Sequence, residues 1–547
     1  MNDHRTDHSV WKDMALGVAG ILLQYGAFHP LDIGVFGWIC LVPWIILAVR
    51  PTSYFTWWTL YLSSFSLALC QLRWMTVADY RMVGTWLLLS WWCSLFPWCG
   101  LKGLNFFLPR INLPLTLMIP IIWVALEYAK SFLLTGFPWY FLAHTQHSVI
   151  PLIQSADLSG TQLLSFAVGM TNGLAVDFIL FCINSKNQQR QSALLIVSAT
   201  ISVFLLISGL WVYGLWRLSS IDFQEGPTVA LLQGNHAQAV RNSDEHFQKT
   251  WLDYRTMLDK AKERDVDLIV WPETSFPFEL PAKVGTSGPL LGRNDENEIW
   301  SGPPQLLGVN VVVMDGKDVV CRHNSSMLQD FQSGIVTRYD KIHRVPFGEY
   351  IPFKDWIPAM NWLSPYDFDY SIRAGNEPTH FLLPWDNRTI SFNSLLCYED
   401  SDFALTRWAM TYNRQPDFWV NQSNDGWFQG TEEHSQHLAI ARFRCVETRR
   451  SMVRAVNSGI SAIIDPCGRL LVPQKISDGI YEASSTVIGS GAWKWNDFMN
   501  MSMILVGKIP LCSDSAPYVF FGDWIAWCCF VLLGFGLARY CFPYKSS

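Results

Sequence analysis

Two apolar segments that are typical of strands each end in a side chain that can carry chemistry. Cys397 ends the apolar part of SLLCYED, and Glu273 follows the apolar run of VDLIVWPETSFP, where Pro272 fixes the turn. A side chain at the carboxyl end of a strand emerges at the edge of the sheet, where loops form a crevice. A thiol becomes a useful nucleophile when a base takes its proton, and partial burial raises the pKa of a carboxyl group toward that task. Taken singly, Cys397 also fits a buried core cysteine and Glu273 a solvated loop acid.

Lys341 and Glu349 share one loop, YDKIHRVPFGEYIPF, which two prolines and a glycine stiffen. A loop lysine is usually a solvated charge. Beside a thiol, however, it would stabilise the negative charge on a tetrahedral oxygen, while an acid moves the proton from sulfur to the leaving group. One cation and two acids around one thiol therefore predict a site for acyl transfer.

The composition indicates a hybrid between a soluble enzyme and a membrane protein. Of the 547 residues only 16% are charged, 27 are tryptophan, and the formal net charge is -6. The mean hydropathy of +0.15 is too high for an ordinary soluble enzyme, yet long polar stretches interrupt the apolar ones. No basic run or patch is present, so a nucleic-acid partner is not expected.

About eight apolar segments have the length needed to cross a bilayer, about 17 to 25 residues. They lie at 12–29, 33–49, 54–71, 82–102, 114–134, 161–183, 193–215 and 517–541. Basic residues in the short loops predict cytoplasmic termini, with the segment between the seventh and eighth spans on the opposite side. For any single segment, a buried core helix of a soluble protein is the alternative.

The long segment between the last two spans predicts an α/β domain. Short β-rich runs, among them TVALLQGN, DLIVWPE, LLGVNVVVMD and DFWVNQSND, alternate with helical stretches such as SQHLAIARFRCVETRR. The predicted fold is a membrane α-helical bundle of about eight spans plus an extracytoplasmic α/β domain. Its boundaries are 1–219 for seven spans, 220–515 for the catalytic domain and 516–547 for the last span and tail.

The cysteines and histidines predict no metal site. None of the 13 cysteines forms a CxxC pair. Five lie in the polar part, an odd number that leaves at least one thiol unpaired: Cys321, Cys397, Cys445, Cys467 and Cys512. His434 and His437 with Glu432 and Glu433 form an HxxH pattern, but the sequence shows no third ligand nearby.

Five motifs carry a resemblance to a known family. WPETSFP, YDKIHRVPFGEYIP, LLCYED, NQSNDGWF and RAVNSGIS, in this order, resemble the Glu-Lys-Cys signature of the nitrilase superfamily, specifically that of the bacterial apolipoprotein N-acyltransferases. TGFPWYFLAHTQ, residues 135–146, is similar to a motif between that family's fifth and sixth spans. The resemblance covers nearly the whole chain and implies a nitrilase-like α-β-β-α domain between the seventh and eighth spans.

The resemblance also implies roles for single residues. Glu273 is expected to be the general base, Lys341 the transition-state lysine and Cys397 the acyl-accepting nucleophile. The supporting positions are Glu349, which would orient the lysine, Tyr398, whose backbone N–H would serve the oxyanion site, and Glu399. Asn424, Asp425, Trp427 and Phe428 match a segment beside the mouth of the site, where an aromatic ring would pack on an acyl chain. Asn242 departs from the family, which commonly has tryptophan there, and Asp400 departs to a smaller degree.

The implied function is transfer of a fatty acyl chain from a membrane phospholipid, through a cysteine thioester, to the N-terminal amine of the diacylglyceryl-cysteine of an apolipoprotein. The expected partners are a phospholipid donor, a diacylated apolipoprotein acceptor and membrane lipid, without a cofactor. The implied location is the bacterial inner membrane, multi-pass, with the catalytic domain on the periplasmic side and both termini cytoplasmic.

Two other functions remain open on sequence. A membrane-tethered nitrilase-type amidase would use the same residues and let water resolve the acyl-enzyme. A transporter with an extracytoplasmic binding domain would carry an ionisable residue in mid-span, and Glu127 with Lys130 is a modest candidate.

Overall fold

The computed structural model describes residues 4–50, 52–183, 189–236, 244–282, 302–316, 318–330, 334–363, 370–484 and 498–541. The chain divides into two compact units. The first comprises 1–76, 83–220 and 520–547, and the second comprises 77–82 and 221–519.

Fifteen α-helices are described. They are α1 (His4–Ala27), α2 (Val42–Val49), α3 (Tyr54–Gln71), α4 (Met75–Ala78), α5 (Val83–Phe107), α6 (Leu115–Lys130), α7 (Ile150–Ile153), α8 (Ala156–Ser159), α9 (Thr161–Ile183), α10 (Gln189–Ser220), α11 (Asp244–Lys262), α12 (Phe403–Thr411), α13 (Glu433–Thr448), α14 (Pro517–Phe521) and α15 (Trp524–Cys541).

Each of the eight apolar segments contains helix, but the helices differ in length. Among the residues that the structure describes, two helical stretches are both long and apolar enough to cross a bilayer, Thr161–Ile183 and Ala193–Ser220. Segment 33–49 keeps only the 8-residue α2, because Gly34–Trp38 forms a 3-10 helix and a proline stands in the first turn of α2. Hydropathy alone therefore overstated the helical length of this segment.

Fourteen strands are described, and all lie in the second unit. They are β1 (Gln224–Gln233), β2 (Leu268–Val270), β3 (Leu280–Pro281), β4 (Gln305–Asp315), β5 (Asp318–Asp330), β6 (Gly334–Asp340), β7 (His380–Trp385), β8 (Arg388–Leu396), β9 (Phe418–Ser423), β10 (Ser451–Val456), β11 (Ala462–Ile464), β12 (Val472–Ser477), β13 (Ile480–Ser484) and β14 (Met503–Leu511).

The strands form two sheets. A nine-stranded sheet has the order β12-β13-β14-β1-β2-β4-β5-β6, with β3 paired to β4, and a five-stranded sheet has the order β11-β10-β9-β8-β7. Both are mixed. In the larger sheet β1 runs parallel to β2 and antiparallel to β14. In the smaller sheet β8, β9 and β10 run parallel, and β7 and β11 are antiparallel to their neighbours. The predicted α/β class of this domain is confirmed.

The main core lies between the two sheets. Val229 and Leu231 of β1 share a cluster with Phe392 of β8 and Phe418 of β9, all fully buried. Alternate residues of a strand face opposite sides of its sheet, so Ala230 of β1 belongs to a different cluster. Each fully buried large apolar side chain contributes roughly 1.5–3 kcal/mol, and this interior holds the sheets face to face.

Helices cover the outer faces of both sheets. On the nine-stranded sheet, Tyr254 and Leu258 of α11 pack in the cluster that contains Ala230. On the five-stranded sheet, Leu405 of α12 and Leu438 of α13 pack against Trp419. The second unit is thus an α-β-β-α sandwich. The residues with predicted chemistry follow strands of its two sheets.

Candidate active site

The strand directions bring the predicted residues to two adjacent sheet edges. β2 runs parallel to β4, and β4, β5 and β6 are successively antiparallel, so β2 and β6 point the same way. Glu273 follows β2 and Lys341 follows β6 directly, and both therefore lie at one edge. In the other sheet Cys397 follows β8 and Asn424 follows β9, and these strands are parallel.

Hydrogen bonds join the two edges. The Asn424 backbone N–H donates to Glu273 Oε2 at 3.1 Å, and Gln422 Nε2 donates to the Trp271 carbonyl at 2.7 Å. Both bonds cross from the five-stranded to the nine-stranded sheet. The loops after β2 and β9 consequently form opposite walls of one site.

An ammonium group lies between two carboxylates at the centre of this site. Lys341 Nζ donates to Glu273 Oε1 at 3.1 Å and to Glu349 Oε1 at 2.7 Å. Lys341 is 1% exposed and Glu273 5%. An ammonium has three N–H groups, and the two acceptors described here leave one for a further oxygen. The stiff loop after β6 thus supplies both the ammonium group and one of its two carboxylate partners.

Asn324, which the sequence did not single out, positions both carboxylates. Its Nδ2 donates to Glu273 Oε1 at 2.7 Å and to Glu349 Oε1 at 3.2 Å. The backbone carbonyl of Asn324 accepts from the Lys341 backbone N–H at 2.8 Å. Asn324 lies within β5, where a polar residue in a strand gives no local motif, so no sequence signal identified it.

The charges of this centre affect one another. Burial raises the pKa of Glu273, more than the nearby Lys341 ammonium lowers it. Burial would lower the pKa of Lys341, but Glu273 and Glu349 outweigh it and hold that pKa well above its ordinary value. Burial and then Glu273 raise the pKa of the Cys397 thiol well above its ordinary value. Two acids against one cation thus favour a neutral resting thiol, whose proton must leave as sulfur attacks.

Cys397 sits in a strained turn. Its φ is 51°, in the left-handed region that a non-glycine residue adopts only at a cost of order 1–3 kcal/mol. It starts the 3-10 helix Cys397–Ser401, and its carbonyl accepts from Asn421 Nδ2 at 3.1 Å. The residue as a whole is partly exposed, and these contacts fix its backbone.

Glu399 has a different surrounding. It accepts from four donors: the Tyr339 hydroxyl, 2.8 and 2.9 Å from its two oxygens, and the backbone N–H groups of Ile342 at 2.7 Å, His343 at 2.9 Å and Leu396 at 2.7 Å. These donors belong to the end of β6, the loop that carries Lys341 and the end of β8. Glu399 therefore fixes the lysine loop against the cysteine turn.

The remaining predicted residues lie around this centre. The ring of Tyr398 packs edge-on against His343, 5.3 Å between centroids, and His343 Nδ1 is 2.6 Å from Asp402 Oδ2. Trp427 and Phe428 are half-buried in the 3-10 helix Asp425–Phe428, directly after Asn424. Asn242 lies outside the described residues. The twelve cysteines whose side chains the structure describes are all free thiols.

The HxxH pair on α13 has neighbours that the sequence did not reveal. Asp425, Glu433 and His437 bring one ligand atom each to within 4.8 Å of one another, and all three are buried. Asp400, the departure after Glu399, lies 2.6 Å from His437 Nε2. Glu432, which the sequence grouped with them, is not part of this group.

The fold and the site define the class of protein. Residues 228–477 match the family model of the carbon-nitrogen hydrolases. This range contains Glu273, Lys341, Glu349 and Cys397. Residues 19–174 match the model of the apolipoprotein N-acyltransferase N-terminal domain. With these two matches in one chain, the protein belongs to the apolipoprotein N-acyltransferase family.

Curated relatives of that name match most of this chain. The apolipoprotein N-acyltransferase of Geobacter metallireducens is 28% identical over 419 residues, 76% of this chain and 73% of that protein. That of Pseudomonas syringae is 29% identical over 427 residues, with the same coverage of 76% and 73%. That of Haemophilus ducreyi is 26% identical over 470 residues, 83% of this chain and 86% of that protein.

Solved structures with some likeness are distant. An amidase of the nitrilase superfamily from Nesterenkonia is 14% identical and has a TM-score of 0.36, covering 57% of this chain and 99% of that one. A CN-hydrolase superfamily protein from Xanthomonas campestris is 14% identical with a TM-score of 0.34, covering 56% and 97%.

Proposed function

We propose that this enzyme moves a fatty acyl chain from a membrane phospholipid to the N-terminal amine of a diacylated apolipoprotein, with Cys397 as the carrier. The membership in the family supports the reaction. The observation that carries the assignment of residues is the Glu273–Lys341–Glu349 centre at the same edges as Cys397. Glu273, Lys341 and Cys397 are the proposed catalytic residues.

In the first step the Cys397 sulfur bonds to the acyl carbon of the phospholipid ester, and its proton passes to Glu273. The remaining N–H of Lys341 stabilises the oxyanion. When the ester C–O bond breaks, the proton moves from Glu273 to the departing alkoxide, which leaves as a lysophospholipid. A thioester on Cys397 and an ionised Glu273 remain.

In the second step the acceptor amine attacks the thioester carbon. Glu273 takes a proton from the nitrogen, the C–S bond breaks, and that proton returns to the sulfur as the thiol forms again. The product is an amide. The two half-reactions use one base alternately as acceptor and donor of a proton, which suits a carboxyl group with a raised pKa.

We also propose that the first unit spans a bacterial inner membrane about eight times, with the catalytic domain on the periplasmic side and both termini cytoplasmic. Two helices long and apolar enough to cross a bilayer support a membrane location. Leu194, Phe204 and Val212 of α10 are 71%, 67% and 64% exposed, a surface that lipid would cover. The asymmetry of basic residues in the loops supports the orientation.

The residues that suggested a transporter are engaged otherwise. Glu127 Oε1 accepts from the Leu142 backbone N–H at 2.7 Å, and Lys130 Nζ donates to the Trp139 carbonyl at 2.7 Å. Both contacts hold the segment 135–146. This pair therefore serves as an anchor for that loop.

Acyl transfer and hydrolysis separate in one experiment. Detergent-purified enzyme is incubated with phospholipid labelled in its acyl chain, and a hydroxylamine-labile adduct is measured by intact mass, with Cys397→Ala as the control that forms none. A diacylated lipopeptide with a free amine is then added. Label in the lipopeptide supports the transferase, whereas label mainly in free fatty acid supports the amidase-like alternative. A lipopeptide with a blocked amine should receive no label.

A further inference from the structure

The buried group on α13 and the loop after β9 has the composition of a metal site. Asp425, Glu433 and His437 converge within 4.8 Å, and His434 lies beside them. His434 Nδ1 is 3.3 Å from Glu433 Oε2 and 3.9 Å from Asp425 Oδ2. All four residues are at most 3% exposed.

Several polar atoms of this group face its interior without satisfying one another. Among the described residues, neither ring nitrogen of His434 has a hydrogen-bond partner, and the same holds for Glu433 Oε2 and Asp425 Oδ2. Such orphaned atoms are rare and costly in a buried position. Here Glu433 Oε2 and Asp425 Oδ2 both lie within 3.9 Å of His434 Nδ1, so these atoms surround one space that an additional ion could occupy.

The spacing suits a tetrahedral ion. Ligands at about 2.1 Å from a tetrahedral centre are about 3.4 Å apart. His437 Nδ1 lies 3.4 Å from Asp425 Oδ2 and 3.5 Å from Glu433 Oε1. Imidazole nitrogens with carboxylate oxygens form a ligand set that suits divalent zinc.

The outer contacts also orient the ligands. His437 Nε2 lies 2.6 Å from Asp400 Oδ1, the carboxylate–histidine pairing that fixes a metal-binding imidazole. Asp425 Oδ1 accepts from the Ser423 hydroxyl at 2.5 Å, which leaves Oδ2 directed at the histidines. Arg454 pairs with Asp400, so its charge is directed chiefly at the outer carboxylate.

The charges of the group are unbalanced only in the state in which both histidines are neutral. Asp400, Asp425 and Glu433 against Arg454 leave two net negative charges when both histidines are neutral, a costly state in a buried cluster. One divalent ion restores neutrality. Two protons would do the same: burial lowers the pKa of His434, but Asp425 and Glu433 outweigh it and raise that pKa to about 9. Protons and a metal ion thus compete for one space.

We propose that Asp425, Glu433 and His437 bind one divalent zinc ion, with His434 placed to take the fourth position. The ion would fix the loop after β9 to α13. That loop also carries the Asn424 N–H that donates to Glu273 at 3.1 Å. The bound ion would therefore help to hold the Glu273 carboxylate in position. The proposal is independent of the acyl-transfer reaction.

The test uses the full-length protein in detergent, stripped with a chelator and dialysed against zinc chloride. We expect one zinc per chain by elemental analysis and a raised thermal unfolding midpoint. Glu433→Gln should weaken binding by more than about 100-fold, since it removes a direct ligand. Glu432→Gln is the matched control at the N-cap of the same helix and should retain the ion. His147→Ala tests the other candidate group, His29, Asp32 and His147, and should also retain it.

The wild-type protein alone provides a second measurement if Glu433→Gln does not fold. X-ray absorption at the zinc edge should show oxygen and nitrogen ligands with at least one imidazole and without sulfur. Less than half an equivalent of zinc in the wild type, a sulfur ligand, or loss of zinc in His147→Ala with retention in Glu433→Gln would each refute the proposal.

Discussion

Glu273 and Glu399 are buried glutamates in the same catalytic domain, and their hydrogen-bond partners differ in kind. Glu399 accepts from three backbone N–H groups and one tyrosine hydroxyl, all fixed by the strands. Glu273 accepts from the side chains of Lys341 and Asn324 and from the backbone of Asn424. Fixed dipoles hold a carboxylate in place. A neighbouring ammonium instead shifts the pKa of the carboxyl group, so its protonation depends on the other charges of the site.

We propose from this difference that Glu273 takes part in the chemistry and that Glu399 positions neighbouring residues. Glu273 shares its cation with Glu349 and faces a thiol whose pKa its charge raises, so its protonation state can change with the state of the sulfur. Glu399 braces the loop of Lys341 against the turn of Cys397. Substitutions that separate rate from stability should therefore act differently at the two positions.

The largest effect is expected for Lys341→Ala. It removes the proposed oxyanion donor and leaves Glu273 and Glu349 without their partner cation in a buried site. Breaking a buried pair in this way costs about 3–5 kcal/mol, and loss of oxyanion stabilisation costs about 10² or more in rate. The measurements are the thermal unfolding midpoint in detergent and the rate of adduct formation from labelled phospholipid.

A double variant gives the matched control. Lys341→Met with Glu349→Gln removes one charge of each sign, so much of the lost stability should return while the adduct still forms slowly. If the double variant regains the rate as well, the ammonium is a structural group and not the oxyanion donor.

Glu273→Gln should mainly affect rate. Glutamine keeps the shape and the contact with Lys341 but cannot accept the thiol proton, so adduct formation should fall by on the order of 10². The unfolding midpoint should change less than in Lys341→Ala. Adduct formation at the normal rate would show that another group removes the proton.

Strand-end positions explain why much of the site was predictable from sequence. Glu273 and Cys397 each follow an apolar run, Lys341 follows the mixed run GIVTRYD, and strands that point the same way bring such ends to one edge. Asn324 lies within a strand, where only the three-dimensional pairing of β5 with β6 shows that its side chain reaches both acids. The family resemblance supplied the roles, which remain predictions here.

The helical segments and the histidines show the limit of local patterns. Hydropathy located the apolar run 33–49 but did not reveal that α2 covers only 8 residues of it. Similarly, the HxxH pair lacked a third ligand in the sequence, because Asp425 comes from a loop of another element. Contacts between elements that are far apart in the sequence depend on how those elements pack, and a short sequence segment does not show that packing.

Glu399→Gln should lower stability more than it lowers the intrinsic rate. A glutamine in this position directs an N–H₂ group at donors, so at least one buried backbone N–H loses its acceptor, at about 1–3 kcal/mol. Adduct formation should decline only through the displaced lysine loop, and stabilising phospholipid should recover part of it. A variant with wild-type stability and a hundredfold lower rate would instead place Glu399 in the chemistry.

The smallest expected effect is a pH dependence of stability that comes from Glu399. It tests whether burial or the hydrogen-bond donors determine the protonation state of this residue. Burial raises its pKa from 4.5 to about 7, against the lowering effect of its donors. Between about pH 4.5 and 7 the folded protein then holds a proton that the unfolded chain has lost. The contribution to stability is complete below pH 4.5 and disappears as the pH rises through about 7.

The comparison with Glu399→Gln isolates this group from other titrating residues. Because glutamine does not titrate, the difference in unfolding midpoint between wild type and variant should shrink as the pH rises from 4.5 to 8. Ser401→Ala is the control, since it removes the hydrogen bond from Ser401 to the Tyr398 carbonyl without changing a titratable group, and its difference should stay constant. A difference that widens with rising pH would mean that the four donors outweigh burial and hold the carboxylate ionised. In that case Glu399 would be a permanent anion beside Lys341, and the excess negative charge that keeps Cys397 protonated would have a third contributor.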